Sequence, residues 1–311
     1  MSVYYGLLQT CFLLLFAPLL HGIIRKTKAL LQGRIGPSLF QSYHDLRKYM
    51  CKDSMVSEHA SWIFSITPYV CFGLMTAATT LIPLLSANSW FSMTGDFILI
   101  VYMFGLSRIF TALAGMDTGG SFGGMGASRD MFLSGLAEPV LFITFVAIAW
   151  PMKTTNLSHV VGYLSDHGVS FVAPSYWMIV LAFFLILLTE TGRLPIDNPD
   201  THLELTMIHE GMLLEYSGKQ LGLMLWSAWL KQVLLFALFL DFCFPYGIIA
   251  VLTPFSFLLA IGSFAIKTIV LGVIVAFVEM SYAKMRLFKV PQMLTAAFFI
   301  AIFAVVSEFW R

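Results

Sequence analysis

The sequence predicts an all-α polytopic membrane protein, with about eight transmembrane helices joined on the cytoplasmic side by loops that carry amphipathic helices. Three observations lead there. Hydrophobic residues make up 59% of the 311, and the mean hydropathy is +0.84. Only 11% are charged. The Lys and Arg residues gather in alternate loops. A chain with this much apolar surface exceeds what one water-soluble core can bury, which excludes a soluble globular domain.

Crossing ~30 Å of hydrocarbon takes roughly 20 mostly apolar residues. Runs of that kind lie near 3–24, 62–86, 97–115, 130–150, 173–190, 221–243, 255–280 and 290–309. The first lacks a basic start and leads into Arg25, Lys26 and Lys28 without a small-residue cleavage site, so it reads as a retained helix and not a secretory signal. With the amino terminus outside, 13 of the 18 Lys and Arg residues fall on inward loops. Cationic loops stay in the cytoplasm, so both termini are expected to face outward. Outward loops look short and plain. No long linker, repeat or low-complexity tract divides residues 1–311, which are expected to form a single membrane domain.

The first inward loop contains Gly33-Arg34-Ile35-Gly36-Pro37, followed by Leu39, Tyr43, Leu46 and Met50 at the spacing of one apolar helical face. Pro37 suits a helical first turn, and Gln41, His44, Asp45, Arg47 and Lys48 take the opposite face. Such a helix lies along the interface, either as a basic surface helix on anionic lipid or as one wall of a cavity shared with a soluble partner.

The second inward loop is expected over Asp117–Arg129, where five glycines permit close approach to a neighbouring helix or chain. It has no Gly-Lys-Ser/Thr ending and no preceding soluble strand, so it is not a phosphate loop.

The third inward loop gathers six carboxylates, from Glu190 in Thr189-Glu190-Thr191-Gly192-Arg193-Leu194-Pro195-Ile196-Asp197 through Asp200, Glu204 and Glu210 to Glu215, beside Tyr216. In so apolar a chain this density of charge marks the working site. Thr201-His202-Leu203-Glu204 fits a capping box, so a short helix is expected there, presenting His202, Thr206 and His209 with Glu210 alongside. The spacing lacks the H-E-x-x-H pattern, which favours hydrogen-bonded polar packing over metal binding. Cys11, Cys51, Cys71 and Cys243 form no C-x-x-C pair, and the seven histidines fall in loops or at span ends, so no cofactor is expected in this chain.

Arg108, Glu138, Lys231, Asp241, Lys267 and Glu279 lie inside the predicted spans. Each costs at least about 2.5–3.5 kcal/mol at a helix centre unless paired or hydrated. They either neutralise one another between helices or line a hydrated proton path running inward from Glu190 and Glu138, and the residue types fit both readings.

Several stretches, in order along most of the chain, resemble the family that includes respiratory complex I subunit 1 and formate hydrogenlyase subunit 4, the membrane anchor of group 4 nickel–iron hydrogenases. They are Arg34-x-Gly36-Pro37 with Gln41, Tyr43, Asp45 and Lys48; Asp117-Thr118-Gly119 leading to Gly126-Ala127-Ser128-Arg129; Glu138-Pro139; Glu190-x-Gly192-Arg193-x-Pro195-x-Asp197; Leu214-Glu215-Tyr216-Ser217-Gly218; and Leu230-Lys231-Gln232. The Asp-Thr-Gly and Gly-Ala-Ser-Arg pieces and the short spacing from Pro37 to Gln41 are similar to the hydrogenase branch. The run Asn198–Glu210 departs from the glutamate-rich run of complex I, so quinone contacts are not carried over there.

The resemblance implies an anchor and coupling subunit of a formate hydrogenlyase-like or energy-converting hydrogenase, linking electron transfer to proton translocation in a prokaryotic cytoplasmic membrane. The nickel–iron site and iron–sulfur clusters would belong to soluble large, small and iron–sulfur subunits on the cytoplasmic face, with antiporter-like membrane subunits alongside and no nucleic acid. Arg34, Gly36, Pro37, Gln41, Asp45, Lys48, Asp117 and Arg129 would form the docking surface. Glu138, Glu190, Arg193, Asp197, Glu204, Glu210, Glu215, Lys231 and Lys267 would carry coupling and the proton path. The alternatives are a quinone-reactive subunit of a complex I-like oxidoreductase and a stand-alone secondary transporter, although the chain shows no half-chain symmetry of the kind many transporters carry.

Overall fold

The computed structural model describes residues 2–84, 95–168, 173–197, 207–247 and 254–310. Its α-helices are α1 (Ser2–Leu31), α2 (Gln41–Met50), α3 (Trp62–Leu81), α4 (Phe97–Asp117), α5 (Ser121–Ala149), α6 (Leu157–His167), α7 (Pro174–Glu190), α8 (His209–Leu213), α9 (Gly218–Cys243), α10 (Pro254–Ser281) and α11 (Val290–Phe309). Every predicted span falls on a helix. Among the described residues seven helices are long and apolar enough to cross a bilayer, and α7 is an apolar helix of 17 residues.

The bundle is built around α9. Its most hydrophobic window is 72% buried, whereas no other spanning helix exceeds 50%, and Gln232 to Cys243 form an unbroken buried run. Helices α1, α2, α3, α7 and α10 pack on it, while α4 and α5 extend from α3, and α11 closes the bundle against α5 and α7. A helix enclosed on all sides needs apolar residues around its whole circumference, which explains why this stretch lacks amphipathic spacing.

Several boundaries differ from expectation. Helix α1 continues past residue 24 to Leu31 and carries Arg25, Lys26 and Lys28, with Lys28 only 5% exposed. The expected loop 117–129 is mostly helix: α5 begins at Ser121, leaving a short turn in which Gly119 takes φ +67°. The glycines fit because they sit where helices touch. A Cβ on Gly123 would strike the Gly115 carbonyl, and one on Gly126 would lie 2.8 Å from the Ile208 carbonyl oxygen. Pro37 lies outside α2, which starts at Gln41; the preceding Gly36 takes φ +71° and packs against Ala29. The side chain of Gln41 donates to Asp45 at 2.9 Å, and Ser42 and Leu46 form the buried face.

The segment between α5 and α7, which looks short and plain in the sequence, carries a further helix. Helix α6 lies there, capped by Asn156, whose side chain accepts from the Ser158 and His159 backbone N–H groups, and it buries Leu157, Val160 and Val161. An isolated bridge between Asp96 and Asn156 ties its start to the head of α4. The capping box over 201–204 lies outside the described residues.

Candidate functional site

The site starts from the way α7 ends. The Arg193 N–H donates to the Leu188 carbonyl at 3.0 Å and the Gly192 N–H to the Thr189 carbonyl at 3.1 Å. Gly192 sits at φ +59°, so the three features form a Schellman cap. Only glycine holds this position without strain, and a Cβ here would also lie 2.8 Å from the His209 Nδ1. The cap turns the chain so that Glu190, Arg193 and Asp197 each point into the bundle, where they are 4%, 5% and 3% exposed.

Each of the three is held by different helices. Glu190 pairs with Arg108 of α4 and, at 2.9 Å, with Lys231 of α9. Arg193 donates to Gln232 of α9 at 2.8 Å and to Glu279 of α10 at 3.3 Å, and Glu279 also pairs with Lys28 of α1 at 2.9 Å. Asp197 accepts from Lys284 at 2.7 Å and from the His209 backbone N–H at 3.3 Å. Arg108 serves further carboxylates, Glu138 at 3.2 Å and Asp130 at 3.7 Å. The His209 ring bridges Asp130 and Asp197 at 3.2 and 3.5 Å. The result is a continuous chain of charge from Lys284 through Asp197, His209, Asp130 and Arg108 to Glu190 and Lys231. A shorter branch runs from Lys28 through Glu279 to Arg193.

Two groups outside the helical spans, Asp197 and His209, titrate away from their ordinary values. Burial alone would raise Asp197, but its bonds with His209 and Lys284 outweigh this and bring the carboxyl down to about 2. Burial alone would lower His209, yet the charge of Asp130 and the contact with Asp197 raise it.

A cavity of about 190 Å³ lies between these groups. Its lining combines the charged or polar side chains of Arg108, Glu190, Arg193, His209, Lys231 and Gln232 with the apolar side chains of Met75, Met212, Met224, Leu225 and Trp229. Glu190 Oε1 and Gln232 Nε2 are buried here without a hydrogen-bond partner in the protein. Buried polar atoms of this kind, beside a cavity of this size, are where ordered water is expected. Among the described residues no cluster of three or more His, Cys, Asp or Glu is placed to hold a metal ion.

Of the residues singled out from sequence, the structure brings together Glu138, Glu190, Arg193, Asp197 and Lys231, and Glu210 joins them in lining the cavity. Glu138 is the outermost, its side chain 42% exposed. Glu215 lies apart on the surface beside Gly120, and Lys267 lies apart in a separate apolar crevice. Glu204 is outside the described residues. In the expected docking set, Arg34, Gly36 and Lys48 are exposed, and Pro37, Gln41 and Asp45 are partly covered. Asp117 and Arg129 make contacts within the chain: Asp117 accepts from the Ser61 N–H at 2.6 Å, and Arg129 donates to the Met207 carbonyl at 3.2 Å.

Sequence reasoning left Asp130, Gln232, Lys28 and Lys284 off the site, weighed His209 as polar packing in the third loop, and weighed Arg108 and Glu279 only as charges inside spans. Arg108 and Glu279 had a usable signal, a charge in an apolar run. Lys28 and Lys284 looked like ordinary positive loop residues.

Architecture and ion network together mark a polytopic helical membrane protein in which buried charges from several helices gather around the end of α7. The chain belongs to the NADH dehydrogenase family, whose model matches residues 4–308. It is 34% identical to formate hydrogenlyase subunit 4 of Escherichia coli K12 over 307 residues, covering 99% of both chains. It is 30% identical to hydrogenase-4 component C of the same organism, covering 99% of this chain and 96% of the relative. An NADH-quinone oxidoreductase subunit of Rhizobium meliloti is 28% identical over 68% of this chain and 65% of its own length. The fold matches a chain of the membrane-bound sulfane sulfur reductase, an archaeal respiratory membrane complex, with a TM-score of 0.85, 20% identity and 98% of each chain covered. These named relatives are components of hydrogenase and oxidoreductase complexes.

Proposed function

We propose that the chain is the membrane anchor and coupling subunit of a formate hydrogenlyase-like or energy-converting nickel–iron hydrogenase complex. It docks a soluble redox arm on its cytoplasmic face and links electron transfer to proton translocation, without itself catalysing the redox chemistry. The observation that carries this reading is the segment Glu190–Asp197, a single loop tied by charge to α4, α9, α10 and α8 around one cavity. A change of charge or position at such a loop alters the proton affinity of every carboxylate in the network. Whole-length similarity to formate hydrogenlyase subunit 4 supports the same reading.

On this reading the exposed rim of Arg34, Lys48, Ile35 and Phe40 meets the soluble arm. The nickel–iron site and iron–sulfur clusters belong to the partners, antiporter-like subunits stand alongside in the membrane, and the whole chain acts as one domain of a prokaryotic cytoplasmic membrane with both termini outside. Protons move along the charged side chains that line the cavity, through water held between Glu190, Gln232 and His209.

The test is to tag the subunit, purify it with its partners in mild detergent, and assay nickel, iron and hydrogen evolution. Nickel, iron and activity together are expected; a solitary chain without either metal overturns the proposal. In the active complex, Glu190→Gln is expected to uncouple proton movement from turnover while assembly persists. Loss of assembly would make Glu190 structural.

A second reading, a quinone-reactive subunit, is favoured by the apolar residues Met75, Met224, Leu225 and Trp229 that line the cavity together with the charges. It predicts iron without nickel and inhibition by quinone-site blockers.

A further inference from the structure

Away from the ion network, α7, α9 and α10 enclose a second crevice of about 640 Å³. Its lip is formed by Trp177, in the first turn of α7, and Tyr246, just beyond α9, with Phe184, Phe239, Val270 and Ile274 among the residues below. Trp177 and Tyr246 are 55% and 52% exposed, and Leu181, Ile266, Val270 and Ile274 are also open on this face. Tryptophan and tyrosine at a helix end are the residues that settle at the headgroup level of a bilayer.

Lys267 is the one charged residue among the described residues of the lining. It lies midway along α10, but its ammonium reaches the end of α9, where it donates to the Tyr246 carbonyl at 2.6 Å and the Phe244 carbonyl at 3.3 Å. An ammonium has three donors, and these two carbonyls use two of them. Asp241 also acts on it electrostatically. Among the described residues no other hydrogen-bond partner of the ammonium is found, which leaves its third donor for a ligand.

We propose that this crevice binds one anionic phospholipid, with the phosphate on Lys267 and an acyl chain laid between α7, α9 and α10. Three features select that occupant. The volume falls within the roughly 300–1,000 Å³ of a small-molecule site. A single cation above an apolar bed matches one phosphate above one hydrocarbon chain. A docked transmembrane helix would require small residues for close approach, and among the described residues the lining contains no Gly, Ala or Ser.

The experiment is native mass spectrometry of the purified subunit with its partners, delipidated and then exposed to phosphatidylglycerol or to phosphatidylcholine with the same acyl chains. The wild type is expected to retain one phosphatidylglycerol in preference to phosphatidylcholine. Lys267→Gln is expected to weaken that retention by roughly fivefold, the scale of one lysine–lipid charge contact. Lys267→Arg is expected to keep it. Val270→Trp, which fills the acyl slot and leaves the cation in place, is expected to abolish retention of this lipid, and it decides the matter if Lys267→Gln does not assemble. Equal retention of both lipids by the wild type, or retention unchanged in Val270→Trp, overturns the proposal and leaves ordinary annular lipid. Neither result depends on hydrogenase activity.

Discussion

Arg108 of α4 and Glu190, the last residue of α7, are joined by a buried ion pair across 82 positions of sequence. Arg108 faces Asp130 and Glu138 of α5 as well, so one guanidinium compensates three carboxylates from two helices. A planar five-donor group suits that geometry, and a lysine would not reach all three.

The two cations on Glu190 should therefore differ sharply in cost. Arg108→Met leaves three carboxylates short of charge and is expected to destabilise the subunit by about 3–5 kcal/mol. Lys231→Met leaves Glu190 still paired with Arg108 and is expected to cost less than half of that. Thermal unfolding of the purified complex compares them, and equal losses would remove Arg108 from the centre of the network.

Gly192→Ala puts a Cβ at φ +59° and 2.8 Å from the His209 ring. The strain alone is about 1 kcal/mol or more, and the displaced imidazole weakens the Asp130–Asp197 bridge. Faster protease cleavage of the 190–197 segment is the expected readout; an unchanged digestion rate would show that the cap tolerates a side chain.

Two neighbouring glycines of α5 should respond in opposite directions. Gly123→Ala drives a methyl into the Gly115 carbonyl of α4 and is expected to lower thermal stability. Gly124 has open space around its Cβ position, so Gly124→Ala is expected to raise stability by about 0.5–1 kcal/mol through helix propensity. If both changes proved neutral, the α4–α5 contact would have room to give at Gly115.

His209 sets a pH dependence of definite sign. Its pKa is raised above 6.5 in the folded chain by Asp130 and Asp197 against the effect of burial. The stabilisation is complete below 6.5 and is lost as pH rises through the raised value. Asp197 behaves oppositely: lowered from 3.8 to about 2, it stabilises above 3.8 and loses that contribution as pH falls toward 2. Unfolding temperature measured across pH should fall on the alkaline side, and His209→Gln should flatten that limb alone. The imidazole is 36% exposed, so added salt should shrink the effect.

The membrane class, the eight helical runs and the loop that holds Glu190, Arg193 and Asp197 were all legible in the amino-acid order. Hydrophobic length and the rarity of charge are local properties, and an apolar stretch near 20 residues has few other uses. Helix ends were less legible. The glycines at 119–126 read as a loop because their low propensity is a local cost, whereas the contacts of Gly123 with Gly115 and of Gly126 with Ile208 that offset it are made across the bundle. Which charges meet was settled by the folded bundle alone. Asp130, His209 and Lys284 come from separate segments, and Lys28 and Lys284 count among the positive residues that any inward loop carries. Pairing depends on which faces of α1, α4, α5, α9 and α10 turn toward each other, and that is fixed by packing around α9. The same packing separates Lys267 from Lys231, two lysines of equal standing in the sequence that lie in different cavities of the folded chain.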